Sequence, residues 1–293
     1  MGVNLTIGEI ITKTVPFLNE KKIPNPRLEA DLMLAEVLNY PRVKLYSQWD
    51  QPLQPAEVQR YREIIVKRVQ GQPLAYLTGN KSFLSWEFAV NPSVLIPRPE
   101  TEILVEAAFD LVKSKDQITG VDIGTGSGII AVSLAKLLPN SIWFATDISQ
   151  EALEVAKENA HSLGVDSRIT FLNGDLFQSL FDKEVSLGKF DLIVSNPPYI
   201  PHDELEKLQP EVKQEPKLAL DGGPDGLEIF RRLIPQAYDI LADEGFLIFE
   251  HGYDQRVQLE EIGTEQGFSC RSLPDLAGLD RVLVCEKRVK KDA

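Results

Sequence analysis

The sequence predicts an α/β protein with a mostly parallel sheet covered by helices on both faces, preceded by a small all-helical domain. From residue 119 onward, short apolar segments typical of strands alternate with segments of helical length. Counting these segments gives seven strands. Residues 1–71 carry apolar residues at helical spacing with no strand pattern between them. A chain of 293 residues is long enough for two domains.

The first 72 residues are predicted to be helical. "NPRLEADLMLAEVLNY" opens with Asn25 at the N-cap position and Pro26 at the first helical position, and "QPAEVQRYREIIVKRVQGQ" begins in the same way. In residues 73–97, aromatic and β-branched residues alternate around the turn signal "TGN" at 78–80, which predicts a β-hairpin linker. Residues 98–293 then form the α/β domain.

Composition narrows the class of partner. A formal net charge of −13 disfavours nucleic acid, since DNA-binding proteins need a positive surface. No apolar stretch is long enough for a membrane helix, and the N-terminus lacks the pattern of a signal peptide. Two cysteines, Cys270 and Cys285, form no disulfide framework and cannot hold structural zinc unaided. We expect a cytoplasmic protein without a membrane, nucleic-acid or metal partner.

A glycine-rich turn lies between the first strand of the α/β region and the next helix. In "VDIGTGSGIIA", three glycines permit tight bends and close approach of a ligand. Backbone amides at the start of the following helix can donate to that ligand. The position between strand and helix predicts a nucleotide-type site at Gly124, Thr125, Gly126, Ser127 and Gly128.

Acidic residues near this turn indicate which ligand it binds. Asp147 ends the next strand, where a carboxylate can accept hydrogen bonds from two ribose hydroxyls. Asp122 precedes the first glycine, where it would repel a pyrophosphate but attract an ammonium group. S-adenosylmethionine (SAM) has an amino-acid end and no phosphate, so the pattern favours SAM over NAD. Asp175, in "NGDLF", either accepts from the adenine amine or is a solvated strand-end residue.

The stretch "FDLIVSNPPYIP" ends a fourth strand with Asn196, Pro197, Pro198 and Tyr199. Ligands of open α/β sheets bind at this carboxyl edge, so the turn should face the glycine turn. The Asn196 side-chain oxygen and the Pro197 carbonyl can each accept one N–H of an amide, and proline fixes its backbone. Tyr199 can pack on the flat group. This geometry suits methylation of a weakly nucleophilic –NH2 by positioning.

Five segments together resemble the HemK-type protein-(glutamine-N5) methyltransferases, and within them those that act on peptide chain release factors: "GQPLAYLTG", "IPRPETE", "DIGTGSG", "NPPYI" and "EPKLALDGGPDGL". The resemblance implies a Rossmann-like SAM-dependent domain that yields S-adenosylhomocysteine. It implies that class 1 release factors are methylated on the glutamine of their Gly-Gly-Gln loop, which modulates translation termination.

The resemblance also implies roles for individual residues. Those expected to hold the substrate amide and support catalysis are Asn196, Pro197, Pro198 and Tyr199. Those expected around SAM are Gly124, Thr125, Gly126, Ser127, Gly128, Asp147, Asp175, Asn196 and one or both of Leu176 and Phe177. Arg98, Glu100 and Thr101 of "IPRPETE" are expected to close over the cofactor, and the acidic segment 202–225 to form a substrate-side loop.

Three alternatives stay open. A sibling enzyme would methylate a glutamine of a ribosomal protein. A DNA or RNA amino-methyltransferase would use the same asparagine turn but would need a basic groove. A non-catalytic SAM- or nucleotide-binding module would not require the complete "NPPY" turn.

Overall fold

A computed structural model of the chain describes residues 5–182 and 189–288. The chain divides into two compact units. The helical unit comprises Met1–Asn80 and Gln209–Gln214, and the α/β unit comprises Lys81–Leu208 and Glu215–Ala293. The sequence-based boundaries after residues 72 and 97 stay a prediction.

The helical unit contains five α-helices within its described residues: α1 Ile7–Glu20, α2 Pro26–Leu38, α3 Arg42–Ser47, α4 Pro55–Val69 and α5 Leu74–Thr78. A capping box starts α1, because the Thr6 hydroxyl accepts from the Glu9 amide and the Glu9 carboxylate accepts from the Thr6 amide. Their apolar faces share one core that includes Ile11, Leu34 and Tyr61. The described helices are held by this common burial, as short helices require.

A buried arginine joins the segment 209–214 to these helices. Arg68, at the end of α4, is 1% exposed. Its guanidinium pairs with Glu29 of α2 and, at 2.8 Å, with Glu211. The two carboxylates pair with Nε and Nη2 of this desolvated guanidinium, and Nη1 donates to the Gln72 carbonyl at 3.4 Å. Removing either carboxylate would leave a buried charge under-paired.

A two-stranded hairpin, β1 Asn80–Phe83 and β2 Trp86–Ala89, follows α5. Its turn lies at Leu84 and Ser85, and Leu84 has φ of 50°. The predicted turn at 78–80 is wrong, because Gly79 (φ 71°) instead ends α5. A left-handed glycine is favoured at a helix C-terminus as well as in a hairpin, so the pattern "TGN" fits both.

The α/β unit is built on one seven-stranded sheet within the described residues. Its strands are β3 Ile118–Ile123, β4 Ser141–Asp147, β5 Ile169–Asn173, β6 Phe190–Ser195, β7 Leu241–Glu250, β8 Phe268–Pro274 and β9 Asp280–Lys287. The order is β5-β4-β3-β6-β7-β9-β8. β9 runs antiparallel to both of its neighbours, β7 and β8, and the other six strands all run in one direction. The predicted mostly parallel seven-stranded sheet, preceded by helices, is confirmed.

Helices cover both faces of this sheet: α6 Glu100–Val112, α7 Ile129–Leu137, α8 Gln150–Ser162, α9 Gln178–Asp182, α10 Glu228–Ile240 and α11 Arg256–Gln266. Alternate strand residues face opposite cores. Leu192 and Val194 pack with α6 and α7, whereas Ile193 packs with α9 and α10. In the described part of the chain, no helix has both the length and the apolarity needed to span a membrane.

The strand order reverses between β3 and β6, which lie side by side with β4 beyond one and β7 beyond the other. Register pairs Ile123 with Ser195, and Ser195 with Phe249. The Ser195 hydroxyl also donates to the Ile123 carbonyl at 2.7 Å. The residues that follow these three strands therefore emerge together at the carboxyl edge, where open α/β sheets bind ligands.

Candidate active site

A cavity of about 270 Å³ opens at this edge of the α/β unit. Its wall combines the glycine turn after β3, the ends of β4 and β5, and the asparagine turn after β6. Of the site residues predicted from the sequence, those that line it are Thr101, Gly124, Thr125, Gly126, Ser127, Asp147, Asp175, Leu176, Asn196, Pro197 and Pro198. Gly128, Phe177 and Tyr199 are not in this wall.

The glycine turn presents its backbone to the cavity. Gly124 and Gly126 have φ of 69° and 55°, and a Cβ built on either would meet no atom within 4 Å. The left-handed conformation favours glycine, and the open space leaves room for a ligand against the main chain. Gly128 differs, since its Cβ would approach the Ala156 Cβ to 3.0 Å. It allows α7 to pack closely on α8.

Asp122 is fully buried beneath this turn. Its Oδ2 accepts from the Thr125 hydroxyl at 2.7 Å and from the Ala131 amide at 3.1 Å. Its Oδ1 has no hydrogen-bond partner among the described residues. Burial raises the pKa of Asp122 to about 7, although both hydrogen bonds oppose the shift. Asp122 does not line the cavity itself but lies behind the glycine turn that does.

Asp147, at the end of β4, braces the glycine turn. Its Oδ2 accepts from the Gly126 amide at 2.8 Å and its Oδ1 from the Ser149 amide at 2.9 Å. Burial raises the pKa of Asp147 against these hydrogen bonds. Each carboxylate oxygen can accept a second donor, so the group retains capacity for a pair of hydroxyls in the cavity.

The predicted adenine edge follows β5. Leu176 lines the cavity and has a left-handed backbone with φ of 50°. Phe177 is fully buried in the core with α9 and α10. Of the two candidates, the structure therefore brings Leu176 to the cavity. Asp175 lines the wall but is paired with Arg232 of α10, which the sequence analysis did not single out.

The asparagine turn is part of a buried hydrogen-bond chain. Asn196 Nδ2 donates to Thr101 Oγ1 at 3.2 Å, and Thr101 Oγ1 donates to Glu250 Oε2 at 2.6 Å. The Tyr199 hydroxyl donates to Glu250 Oε1 at 3.2 Å. Burial raises the pKa of Glu250, and it also raises the pKa of Tyr199, which keeps that hydroxyl protonated. This chain uses the amide nitrogen of Asn196 and turns Oδ1 away from Thr101.

The segment "DGGPDG" (residues 221–226) backs the same turn. A Cβ on Gly222 would lie 2.7 Å from Tyr199 Cα, so only glycine permits this approach without displacement of the backbone. The Gly222 amide donates to the Ile200 carbonyl at 2.9 Å. Gln255 Nε2 donates to the Tyr199 carbonyl at 3.0 Å. The main chain at the end of the turn is thereby fixed from two sides.

Glu215 fastens one wall of the cavity. Its Oε2 accepts from the Ile96 amide at 3.0 Å, and its Oε1 pairs with Arg98. The neighbouring Pro216 and Leu218 line the cavity together with Pro97. Arg98 does not line the cavity, but its ion pair with Glu215 holds two lining segments together, and its role over the cofactor stays a prediction.

Comparisons with known proteins identify the family. A model described as the PrmC N-terminal domain matches residues 9–79, and one described as the methyltransferase small domain matches residues 100–215. A release factor glutamine methyltransferase from Moorella thermoacetica is 41% identical over 97% of this chain and 99% of its own. One from Geobacter sulfurreducens is also 41% identical, over 95% of each chain. The chain belongs to the release factor glutamine methyltransferase family.

A solved structure extends the likeness to the fold alone. The catalytic domain of hMettl16 is 18% identical, with a TM-score of 0.56 over 79% of this chain and 84% of its own. Membership of the release factor glutamine methyltransferase family makes the protein a methyltransferase, and the resemblance inferred from the five motifs is confirmed.

Two acidic residues of this family member were missed by sequence reasoning about its site. Glu250 reaches the asparagine turn because β7 lies next to β6 in register. The sequence did contain a pattern that could have indicated Glu250: it is an acidic residue at the end of the apolar strand "GFLIFE", as Asp147 is at the end of its own strand. Glu215 opens the motif "EPKLALDGGPDGL", but its segment was given no role beyond that of an acidic substrate-side loop. The described residues contain no group of three His, Cys, Asp or Glu side chains that could hold a metal.

Proposed function

We propose that this protein transfers a methyl group from SAM to the side-chain amide nitrogen of the glutamine in the Gly-Gly-Gln loop of peptide chain release factors. The observation that carries the proposal is the orientation of Asn196, whose Nδ2 is used by Thr101 so that Oδ1 is available as an acceptor in the cavity beside the glycine turn. The names of the relatives support the substrate. A release factor substrate implies a cytoplasmic reaction.

The residues present fit SAM. The open backbone at Gly124 and Gly126 leaves room for close contact with a ligand, and the Asp122 carboxyl, buried beneath this turn, favours a positively charged ammonium group over a phosphate. Asp147 has capacity for ribose hydroxyls. Leu176 and Ile148 give the wall the apolar character that a purine needs. We assign Asp175 to the adenine edge, where it shares its carboxylate with Arg232.

Bound SAM supplies an electrophilic methyl group on a positively charged sulfur. The chain's own task is to orient the acceptor, because the lone pair of an amide nitrogen is delocalised and weakly nucleophilic. We assign one N–H of the substrate amide to Asn196 Oδ1 and the other to the Pro197 carbonyl, whose position proline restricts. Transfer would form a C–N bond as the C–S bond of SAM breaks, leaving neutral sulfur in S-adenosylhomocysteine, and the methylated nitrogen would then release one proton to water. Holding this geometry supplies much of the rate.

Pro198 and Tyr199 complete the assignment. Pro198 lines the cavity and keeps the turn rigid. Tyr199 does not line the cavity. Its hydroxyl donates to Glu250 and its carbonyl accepts from Gln255, and these two hydrogen bonds fix the end of the turn. We assign recognition of the protein substrate to the helical domain of residues 1–72. The model of the PrmC N-terminal domain matches residues 9–79 and so covers most of this domain.

The test uses purified protein with tritiated SAM. A release factor should become labelled, and the same factor with its loop glutamine changed to alanine should not. Label that persists in the altered factor would show that another residue is the acceptor. Label on DNA, or on a large-subunit ribosomal protein in place of the release factor, would overturn the substrate assignment.

Asn196→Ala tests the amide-holding role within the same assay. We expect SAM affinity within about threefold of the unaltered protein but turnover reduced at least about a hundredfold, as for loss of one preorganised hydrogen-bond partner at a reacting group. Asn140→Ala is the matched control, because Asn140 is exposed and does not line the cavity. An equal loss of affinity and turnover in Asn196→Ala would instead assign the residue to the cofactor or the fold.

A further inference from the structure

The hydrogen-bond chain behind Asn196 is nearly closed to solvent. Thr101, in the first turn of α6, is 2% exposed, and Glu250, the last residue of β7, is 1% exposed. Glu250 receives two hydroxyl donors, one on each carboxylate oxygen, from Thr101 and Tyr199. Buried polar groups cannot exchange partners with water, so the direction of each hydrogen bond in the chain is constrained by its neighbours.

The number of hydrogens on each group sets that direction. Both oxygens of the Glu250 carboxyl already accept a hydroxyl hydrogen, and a threonine hydroxyl has a single hydrogen to donate. Because Thr101 donates this hydrogen to Glu250, its oxygen can meet Asn196 only as an acceptor. The side chain of Asn196 must then offer Nδ2 to Thr101, and Oδ1 is left for the cavity.

Orientation matters because the two ends of an asparagine amide have opposite hydrogen-bond character. A substrate –NH2 needs an acceptor, which Oδ1 provides. A rotated amide would place Nδ2 against the substrate nitrogen, so that two donors would face each other and neither would be satisfied. The energies of the two rotamers are otherwise similar, since oxygen and nitrogen are nearly equal in size.

We infer that Thr101 and Glu250 are positioning residues that fix the side-chain amide of Asn196 with its oxygen toward the acceptor nitrogen, and so make the site selective for an amide over a carboxylate. This inference rests on the proposed function. Neither residue needs to touch the reacting atoms. A carboxylate in place of the substrate amide would only accept, and would meet Oδ1 as a second acceptor.

A purely structural role for Thr101 predicts something different. Thr101 lies at the start of α6, and its hydrogen bond to Glu250 could serve only to attach that helix to the sheet. Loss of such an attachment would reduce stability and lower the affinity for every substrate alike. It would not change the preference between an amide and a carboxylate at the acceptor position.

The experiment therefore measures a preference. Binding of a release factor and of its loop Gln→Glu variant is measured with S-adenosylhomocysteine present, for the unaltered enzyme, Thr101→Val and Thr101→Ser. We expect the unaltered enzyme to prefer the glutamine factor by about tenfold or more, because a mispaired buried polar group is costly. In Thr101→Val the preference should fall to about twofold or less, with lower kcat and little change in affinity for S-adenosylhomocysteine. Thr101→Ser, which keeps the hydroxyl, should restore both.

Thr146→Val is the matched control. Thr146 is also fully buried in the α/β unit, and its hydroxyl has no hydrogen-bond partner among the described residues. This variant should keep the preference and kcat. Thr101→Val with an unchanged preference refutes the inference, whether or not the variant is less stable. If the unaltered enzyme neither prefers nor methylates the glutamine factor, the proposed function fails and the orientation argument fails with it.

Discussion

Asp122→Asn tests the electrostatics of the glycine turn through the stability of the cofactor-free protein. The pKa of Asp122 is about 7 in the folded chain, because burial outweighs its hydrogen bonds from Thr125 and Ala131. An unfolded aspartate titrates near 3.9. A raised folded pKa means that the native state binds the proton more tightly, so stability is highest at low pH and falls as pH rises through the folded pKa. Between pH 6 and 8, ionisation of Asp122 should lower the free energy of unfolding by about 1.4 kcal/mol.

Asparagine removes this pH dependence of stability, because its side chain is uncharged at every pH. Urea denaturation at pH 6, 7 and 8 should show the variant gaining about 1.4 kcal/mol relative to the unaltered protein across the interval. Glu250, whose pKa is also raised, contributes to both proteins and cancels in the difference. Repulsion from Asp147 is part of what raises the pKa of Asp122, and the substitution removes it together with the Asp122 charge. In Asp203→Asn, which alters an exposed residue, the free energy of unfolding should change with pH as it does in the unaltered protein. If the free energy of unfolding of Asp122→Asn also changed with pH as in the unaltered protein, the assignment of a buried, partly neutral carboxyl would be refuted.

Two further substitutions test the supports of the cavity. Glu215→Gln keeps an acceptor for the Ile96 amide but loses the ion pair with Arg98. We expect calorimetry to show affinity for S-adenosylhomocysteine weakened about five- to tenfold, consistent with about 1–1.5 kcal/mol for a partly exposed charged hydrogen bond, whereas an exposed Glu204→Gln control should bind normally. Gly222→Ala places a Cβ 2.7 Å from Tyr199 Cα, so it should lower turnover more than cofactor affinity and destabilise the protein by about 1–3 kcal/mol. In Gly278→Ala the new Cβ meets nothing within 4 Å, but the φ of 80° strains alanine, so this variant should lose stability without losing turnover. Equal kinetics for the two variants would contradict the buttressing role of Gly222.

Local patterns were sufficient for the sheet and for two of its turns. Residues after β3 and β6 could be placed together from sequence, because the carboxyl ends of parallel strands meet at one edge wherever the strand order reverses. The alternation of Leu192, Ile193 and Val194 between two cores follows directly from the period of a strand.

Contacts between distant segments were not accessible in the same way. Glu250 reaches Thr101 only because β7 pairs with β6 and α6 packs over them, a relation that no local pattern contains. The choice between Leu176 and Phe177 depended on a left-handed residue that is not glycine. Such a conformation is uncommon and has no sequence signal for leucine. The pairing of Asp175 with Arg232 likewise joins residues from different elements.

The backing of the asparagine turn limits how far its four residues can be treated as a transferable module. The supports come from a helix start (Thr101), a strand end (Glu250) and a loop (Gly222). Thr101 accepts from the Asn196 amide and donates to Glu250, and Gly222 lies against the main chain of Tyr199. Grafting "NPPY" onto another parallel sheet would copy the backbone corner but leave the asparagine amide free to rotate. An engineered acceptor pocket would need all four segments, transplanted with their spacing intact.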